Sequence, residues 1–179
     1  MGLLKFQAFF LLILVVLLVG CSVQESQTNN VPFAPLSYQE QLDRLPKVAA
    51  AVIGGELKIS GDGSGTMHIS VEVPPNHHGY LNKGDEGYLI PLEFSFKAME
   101  DTGALVTAVT LPEGERSDKW GATVLRGIGD YEFRVDNANE RLTSLGAVSV
   151  SLRYQICDEI LDTCYPPKNV EIPMRVVQS

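Results

Sequence analysis

Two of the chain's three cysteines, Cys157 and Cys164, lie in one fourteen-residue stretch, YQICDEILDTCYPP, residues 154–167. Thiols this close can be a staple or a working dithiol. A staple closing so short a loop stabilises by roughly 2–3 kcal/mol in the chain-entropy picture. A working pair exchanges: a thiolate attacks a disulfide sulfur, and the second cysteine resolves the mixed disulfide. Asp158, Glu159 and Asp162 lie between the thiols, and like charge disfavours a thiolate, which predicts a sluggish general reductant. On residue types alone a plain structural disulfide is the favoured reading, because most exported pairs are structural.

Other candidate chemistry is thin. GDGSG at 61–65 is glycine-rich, but no Lys-Ser/Thr follows and strand patterns flank it, so it reads as a hairpin turn. His77 and His78 are adjacent, so on a strand they face opposite ways and cannot share a metal, and His68 is the only other histidine. No metal and no cofactor is indicated, and no Ser–His–Asp spacing supports a hydrolase.

The elements that must hold the cysteines follow from patterning. Residues 1–20 contain Lys5 and the apolar run FFLLILVVLLV (9–19), too short to span a bilayer and of signal-peptide length. The run ends in LVGC, which resembles a bacterial lipobox with Cys21 as the acylated first residue of the mature chain. Export places the protein where disulfides persist. With Cys21 spent on the anchor, Cys157 and Cys164 are the only possible internal pair. Residues 21–36 are polar and proline-punctuated, a flexible tether from the membrane. Residues 37–179 form the domain. SYQEQLDRL (37–45) opens as a capping box and predicts a short helix. The formal net charge of −8, more negative once Lys5 is removed, argues against nucleic acid.

Elsewhere the period is two. Met67, Ile69, Val71 and Val73 alternate with polar residues, as do Leu92, Phe94 and Phe96, and Tyr131, Phe133 and Val135. Val148, Val150, Leu152, Tyr154 and Ile156 make the longest run, and Val170, Ile172, Met174 and Val176 follow the cysteines. Turn clusters such as LPEGE (111–115) separate these runs. This predicts half-buried antiparallel strands in an all-β, immunoglobulin-like sandwich. The cysteines are predicted near the open loop of a hairpin, with Gln155 and Cys157 on the face opposite Tyr154 and Ile156.

The stretch around both cysteines resembles the active-site hairpin of the N-terminal periplasmic domain of the thiol:disulfide interchange protein DsbD. Tyr154, Gln155, Cys157, Cys164, Tyr165, Pro166 and Pro167 match that family's pattern in order. HGYLN (78–82) resembles its Gly-Tyr-aromatic segment, and LPEG (111–114) the lead-in to its cap loop. The resemblance implies an immunoglobulin-like sandwich in which Cys164 forms mixed disulfides and Cys157 resolves them. Tyr80, Tyr154, Gln155, Tyr165 and Pro166 would belong to the pocket. A cap loop over 117–121 would shield the pair with Trp120. Three positions depart from the pattern: the intercysteine loop is one residue longer, Asn82 replaces a pocket aromatic, and Lys119 stands where an acid belongs.

The family's full transporter continues into a membrane domain and a thioredoxin-like domain, and this chain ends at Ser179. The implied partners are thioredoxin-fold proteins or a DsbD/CcdA-like membrane electron transporter, met by a lipid-anchored relay facing the periplasm or exterior. Ser22 after Cys21 points to the outer membrane, whereas a partner of an inner-membrane transporter would be better placed at the inner one, so the sequence leaves the membrane open. The alternative is a non-catalytic structural or binding lipoprotein whose hairpin is stapled.

Overall fold

The computed structural model describes residues 48–179; the signal segment, Cys21, the tether and the helix expected over 37–45 lie outside the described residues. The strands are β1 Ala51–Ile53, β2 Glu56–Ile59, β3 Gly65–Val73, β4 His77–Tyr80, β5 Glu93–Ser95, β6 Leu105–Thr110, β7 Glu115–Ser117, β8 Ala122–Leu125, β9 Gly127–Asp136, β10 Ala147–Tyr154, β11 Ile156–Asp158, β12 Thr163–Cys164 and β13 Lys168–Gln178. Two one-turn helices, α1 Lys97–Glu100 and α2 Glu140–Thr143, interrupt them. An eight-stranded sheet runs β5-β10-β13-β2-β3-β9-β6, with β1 also on β3; a five-stranded sheet runs β12-β11-β4-β8-β7. The architecture is the all-β, immunoglobulin-like sandwich read from the alternation. All pairings within named strands are antiparallel except β13 with β2.

Alternation selects the core faces. In β3, Met67, Ile69, Val71 and Val73 are buried while Thr66, His68 and Glu72 face solvent. In β9, Tyr131, Phe133 and Val135 are buried, and in β10 Val148, Val150, Leu152 and Tyr154. Ile172 and Met174 supply the same from β13. Each large apolar side chain so buried contributes about 1.5–3 kcal/mol. GDGSG is the hairpin turn between β2 and β3, with Ser64 N–H donating to Asp62 Oδ1 at 2.9 Å.

Two expected strands are shorter than their patterns. The run at Leu92, Phe94 and Phe96 is strand only over Glu93–Ser95, because the chain turns into α1 to bury Met99. The long run ending at Ile156 breaks at Gln155, where the chain leaves the large sheet for the small one. That break is what separates the cysteines from the main core. β10 and β13 pair as far as Tyr154 with Lys168, and the segment between them forms its own small hairpin, β11–β12.

Candidate functional site

Cys157 and Cys164 are directly opposed across β11 and β12 and are joined as a disulfide. The two sulfurs are unlike. Cys157 is sealed from solvent, in a small cluster with Tyr80, Ala122 and Val124; Cys164 is only partly buried and packs against that cluster with Leu89 and Trp120. Ile156 stays in the main core while Cys157 faces the second cluster, as period two requires on either side of one strand.

The strand β4 runs through the centre of the site. Gly79 lets it lie close: a Cβ there would sit 2.8 Å from Leu92 Cδ1. On one side of Gly79, Tyr80 is fully buried, its hydroxyl 3.3 Å from Cys157 Sγ and 3.6 Å from Cys164 Sγ. Bridged sulfurs carry no proton, so the hydroxyl is the donor. Burial pushes the phenol up to about 12, so it stays protonated. On the other side, His78 is paired with Cys157 across β4 and β11 and is also fully buried. Its ring meets Tyr80 edge-on at 5.1 Å and Trp120 at 5.4 Å.

Trp120 lies in the turn between β7 and β8, half-buried over this cluster. Two ties hold the turn. Asp85 N–H donates to Gly121 O at 2.9 Å, and Arg116 pairs with Asp85 at 2.7 Å. Gly121 itself has φ +58, which favours glycine, and a Cβ there would sit 3.0 Å from Asp85 Oδ2. A third tie crosses to the intercysteine loop: Lys119 Nζ lies 2.6 Å from Asp162 Oδ1 and 4.7 Å from the Trp120 ring. The lysine that departs from the family pattern thus meets its acid on the neighbouring loop. Asn82, the other departure, is a loop tie: its Oδ1 accepts from Gly84 N–H at 3.0 Å and Thr123 N–H at 3.3 Å.

Each carboxylate of the intercysteine loop is engaged. Asp158 Oδ1 accepts from Ile160 and Leu161 N–H, both at 2.8 Å, and Oδ2 from Tyr165 Oη at 3.2 Å. The Leu161 N–H leads the groups that hold this carboxyl below its ordinary range. Glu159 pairs with Arg126 at 2.6 Å, and Asp162 with Lys119. The three carboxylates are held by the loop's own donors and by two neighbouring cations, which sequence spacing does not show.

Not every residue singled out from the motif stands by the sulfurs. Tyr154 belongs to the main core, on the far side of the Gln155 break. The Gln155 amide donates to Tyr165 O at 3.0 Å and fastens the base of the small hairpin. Tyr165 is buried, stacked with His77 at 5.9 Å, and Pro166 is exposed beyond it. From the sequence His78 was weighed only as a metal ligand, and Arg126 was not singled out. Adjacency to the Gly-Tyr pair was the available signal for His78; nothing local marks Arg126. Among the described residues no three His, Cys, Asp or Glu side chains converge as metal ligands.

No family model and no curated protein matches the sequence. Several solved structures are similar to it. One is the DsbD n-terminal domain of Neisseria meningitidis in the reduced form, at 18% identity over 74% of this chain and 90% of that chain, TM-score 0.41. Another is the N-terminal periplasmic domain of ScsB from Proteus mirabilis, at 13% identity over 70% and 46%, TM-score 0.47. A third is domains 4 and 5 of the S-layer protein SbsC, at 14% identity over 72% and 51%, TM-score 0.29.

His78 also gives the fold a pH signature. Burial holds its imidazole below the ordinary 6.5, against the opposing pull of Glu159. The unfolded chain therefore takes up a proton near pH 6.5 that the folded chain resists. The stability contributed by neutral His78 is present above that pH and is lost as pH falls towards the lower folded value. Urea midpoints should fall in the wild type from pH 7.5 to 5, with His78 contributing at most one proton's worth, about 1.4 kcal/mol per pH unit. The slope should flatten in His78→Gln; equal slopes would refute the assignment.

Proposed function

We propose that this domain is a DsbD N-terminal-like thiol–disulfide relay, passing two electrons through Cys157 and Cys164. The carrying observation is the asymmetry of the pair: one sulfur sealed, the other partly buried beneath Trp120, and one buried hydroxyl touching both. A relay needs one sulfur that a partner can reach and one that only its mate can reach. A staple needs neither. The seven-residue motif around both cysteines supports the same reading. In it Cys164 makes the mixed disulfide, Cys157 resolves it, Tyr80 steadies the sulfurs and Trp120 caps them. Tyr165 and Gln155 hold the hairpin's shape. The partners are thioredoxin-fold proteins or a membrane electron transporter, and Cys21, as a lipid-bearing residue, keeps the domain at a membrane of the cell envelope.

The reduction potential of the pair tests this. Structural disulfides lie below about −300 mV, whereas exchangeable ones are less reducing. Equilibration of the domain with dithiothreitol or glutathione buffers should place the pair above that value, with the reduced protein still folded by near-ultraviolet dichroism. A more negative potential, or unfolding on reduction, would identify a staple.

A further inference from the structure

Resting on the relay reading, one buried group remains without a task. His78 is fully buried, and its Nε2 has no hydrogen-bond partner among the described residues. Such an orphan is costly inside a protein and calls for a cause. Its other nitrogen, Nδ1, lies 3.2 Å from Glu159 Oε1. An ionised carboxylate only accepts, so Nδ1 carries the hydrogen and Nε2 of the neutral ring is a bare base. Directly paired residues on adjacent strands have Cβ atoms roughly 4.5–5.5 Å apart on the same face. Cys157 is that residue for His78.

We propose that His78 Nε2 is the proton acceptor for Cys157 when the mixed disulfide is resolved. In the disulfide the Cys157 sulfur is turned to Cys164 and has no proton to give, so Nε2 stands idle. Once a partner is linked through Cys164, the Cys157 thiol is free to rotate about its χ1 bond towards the imidazole. Its proton passes to Nε2, and the thiolate attacks Cys164 Sγ. The Cys157–Cys164 bond forms and the Cys164–partner bond breaks. The electron pair leaves on the partner sulfur, which takes the proton back from the imidazolium. The cysteine pair is oxidised by two electrons and the partner reduced by two.

The surroundings fit this task. A buried thiol is raised in pKa and needs a base. Tyr80, the other group at the sulfurs, keeps its proton because burial pushes it up to about 12. His78 is the base that remains, neutral at pH 7 because burial outweighs Glu159. The charged groups facing it are Glu159 from the intercysteine loop, Arg126 after β8 and Lys119 from the cap turn. Glu159 holds the imidazolium once formed, and Arg126 Nε, 2.6 Å from the same Oε1, fixes that carboxylate.

The reduced domain, mixed with 5,5′-dithiobis(2-nitrobenzoate), separates the steps. The first thionitrobenzoate release reports attack by Cys164, and the second reports resolution by Cys157. In His78→Gln and His78→Phe the second release should slow by about 100-fold or more at pH 7, the low end for a lost general base. The first release serves as the internal reference. The wild-type second phase should level off above the imidazole inflection, whereas the variants should keep rising towards the thiol range. In Glu159→Gln, a surface change that decides the matter if the His78 variants do not fold, loss of the carboxylate weakens the base. The inflection should then move to lower pH. A second phase with wild-type rate and pH profile in these variants overturns the proposal alone. No second release from the wild type overturns the relay reading and the proposal with it.

Discussion

Cys157→Ser should accumulate a covalent adduct with a thioredoxin-fold partner, and Cys164→Ser should not. Cys164 is the partly buried sulfur, packed against the cluster with Trp120, whereas Cys157 is enclosed by Tyr80, Ala122 and Val124. Removing the resolving thiol leaves the mixed disulfide without its exit, so it persists. Removing Cys164 leaves a thiol with no route to a partner. Acid trapping from the native envelope, followed by electrophoresis without reductant, reads the difference as a single higher-mass band present in one variant and largely absent in the other. A staple predicts the same scattered adducts from either stray thiol. Equal patterns from the two variants would end the relay reading.

Trp120→Ala should expose the pair to small thiols. The indole covers the site through two aromatic contacts, 5.4 Å to His78 and 6.5 Å to Tyr80. Contacts of this kind are worth about 0.5–1.5 kcal/mol each beyond buried area. If they hold the cap closed, removing both shifts its opening by about 5- to 140-fold, since 1.4 kcal/mol is a factor of ten. The rate of disulfide reduction by glutathione should rise by that factor. Lys119→Glu, which breaks an exposed ion pair worth about 0–1 kcal/mol, should raise it much less. An unchanged rate in Trp120→Ala would show that the indole does not guard Cys164.

The fold was legible because burial on one face of a strand writes itself into every second residue. Met67 to Val73 and Val148 to Tyr154 needed no tertiary information to be assigned an inner face. Pairing of Cys157 with Cys164 needed only the count of cysteines and the assignment of Cys21 to the anchor. Less visible was where a strand changes sheets. The alternation runs through Gln155 unbroken, since Ile156 remains apolar and inward, and periodicity cannot report which sheet supplies the hydrogen bonds. The motif resemblance grouped Tyr154 with the pocket, but it packs in the main core, on the face opposite Cys157 that the alternation gives it.

Residue order alone therefore determined a β-sandwich, its core-facing residues and a cysteine pair between its last strands. The tertiary structure decided what surrounds that pair. His78, 42 residues before Trp120 and 79 before Cys157, reaches both only because β4 lies between β8 and β11. The same folding brings Arg126 to Glu159 and Lys119 to Asp162, turning a loop that reads as acidic into one whose carboxylates are all engaged. Charge along a chain is local information, whereas electrostatic environment is a property of neighbours in space. Interactions that close distances of tens of residues are fixed only when the sheets are assembled.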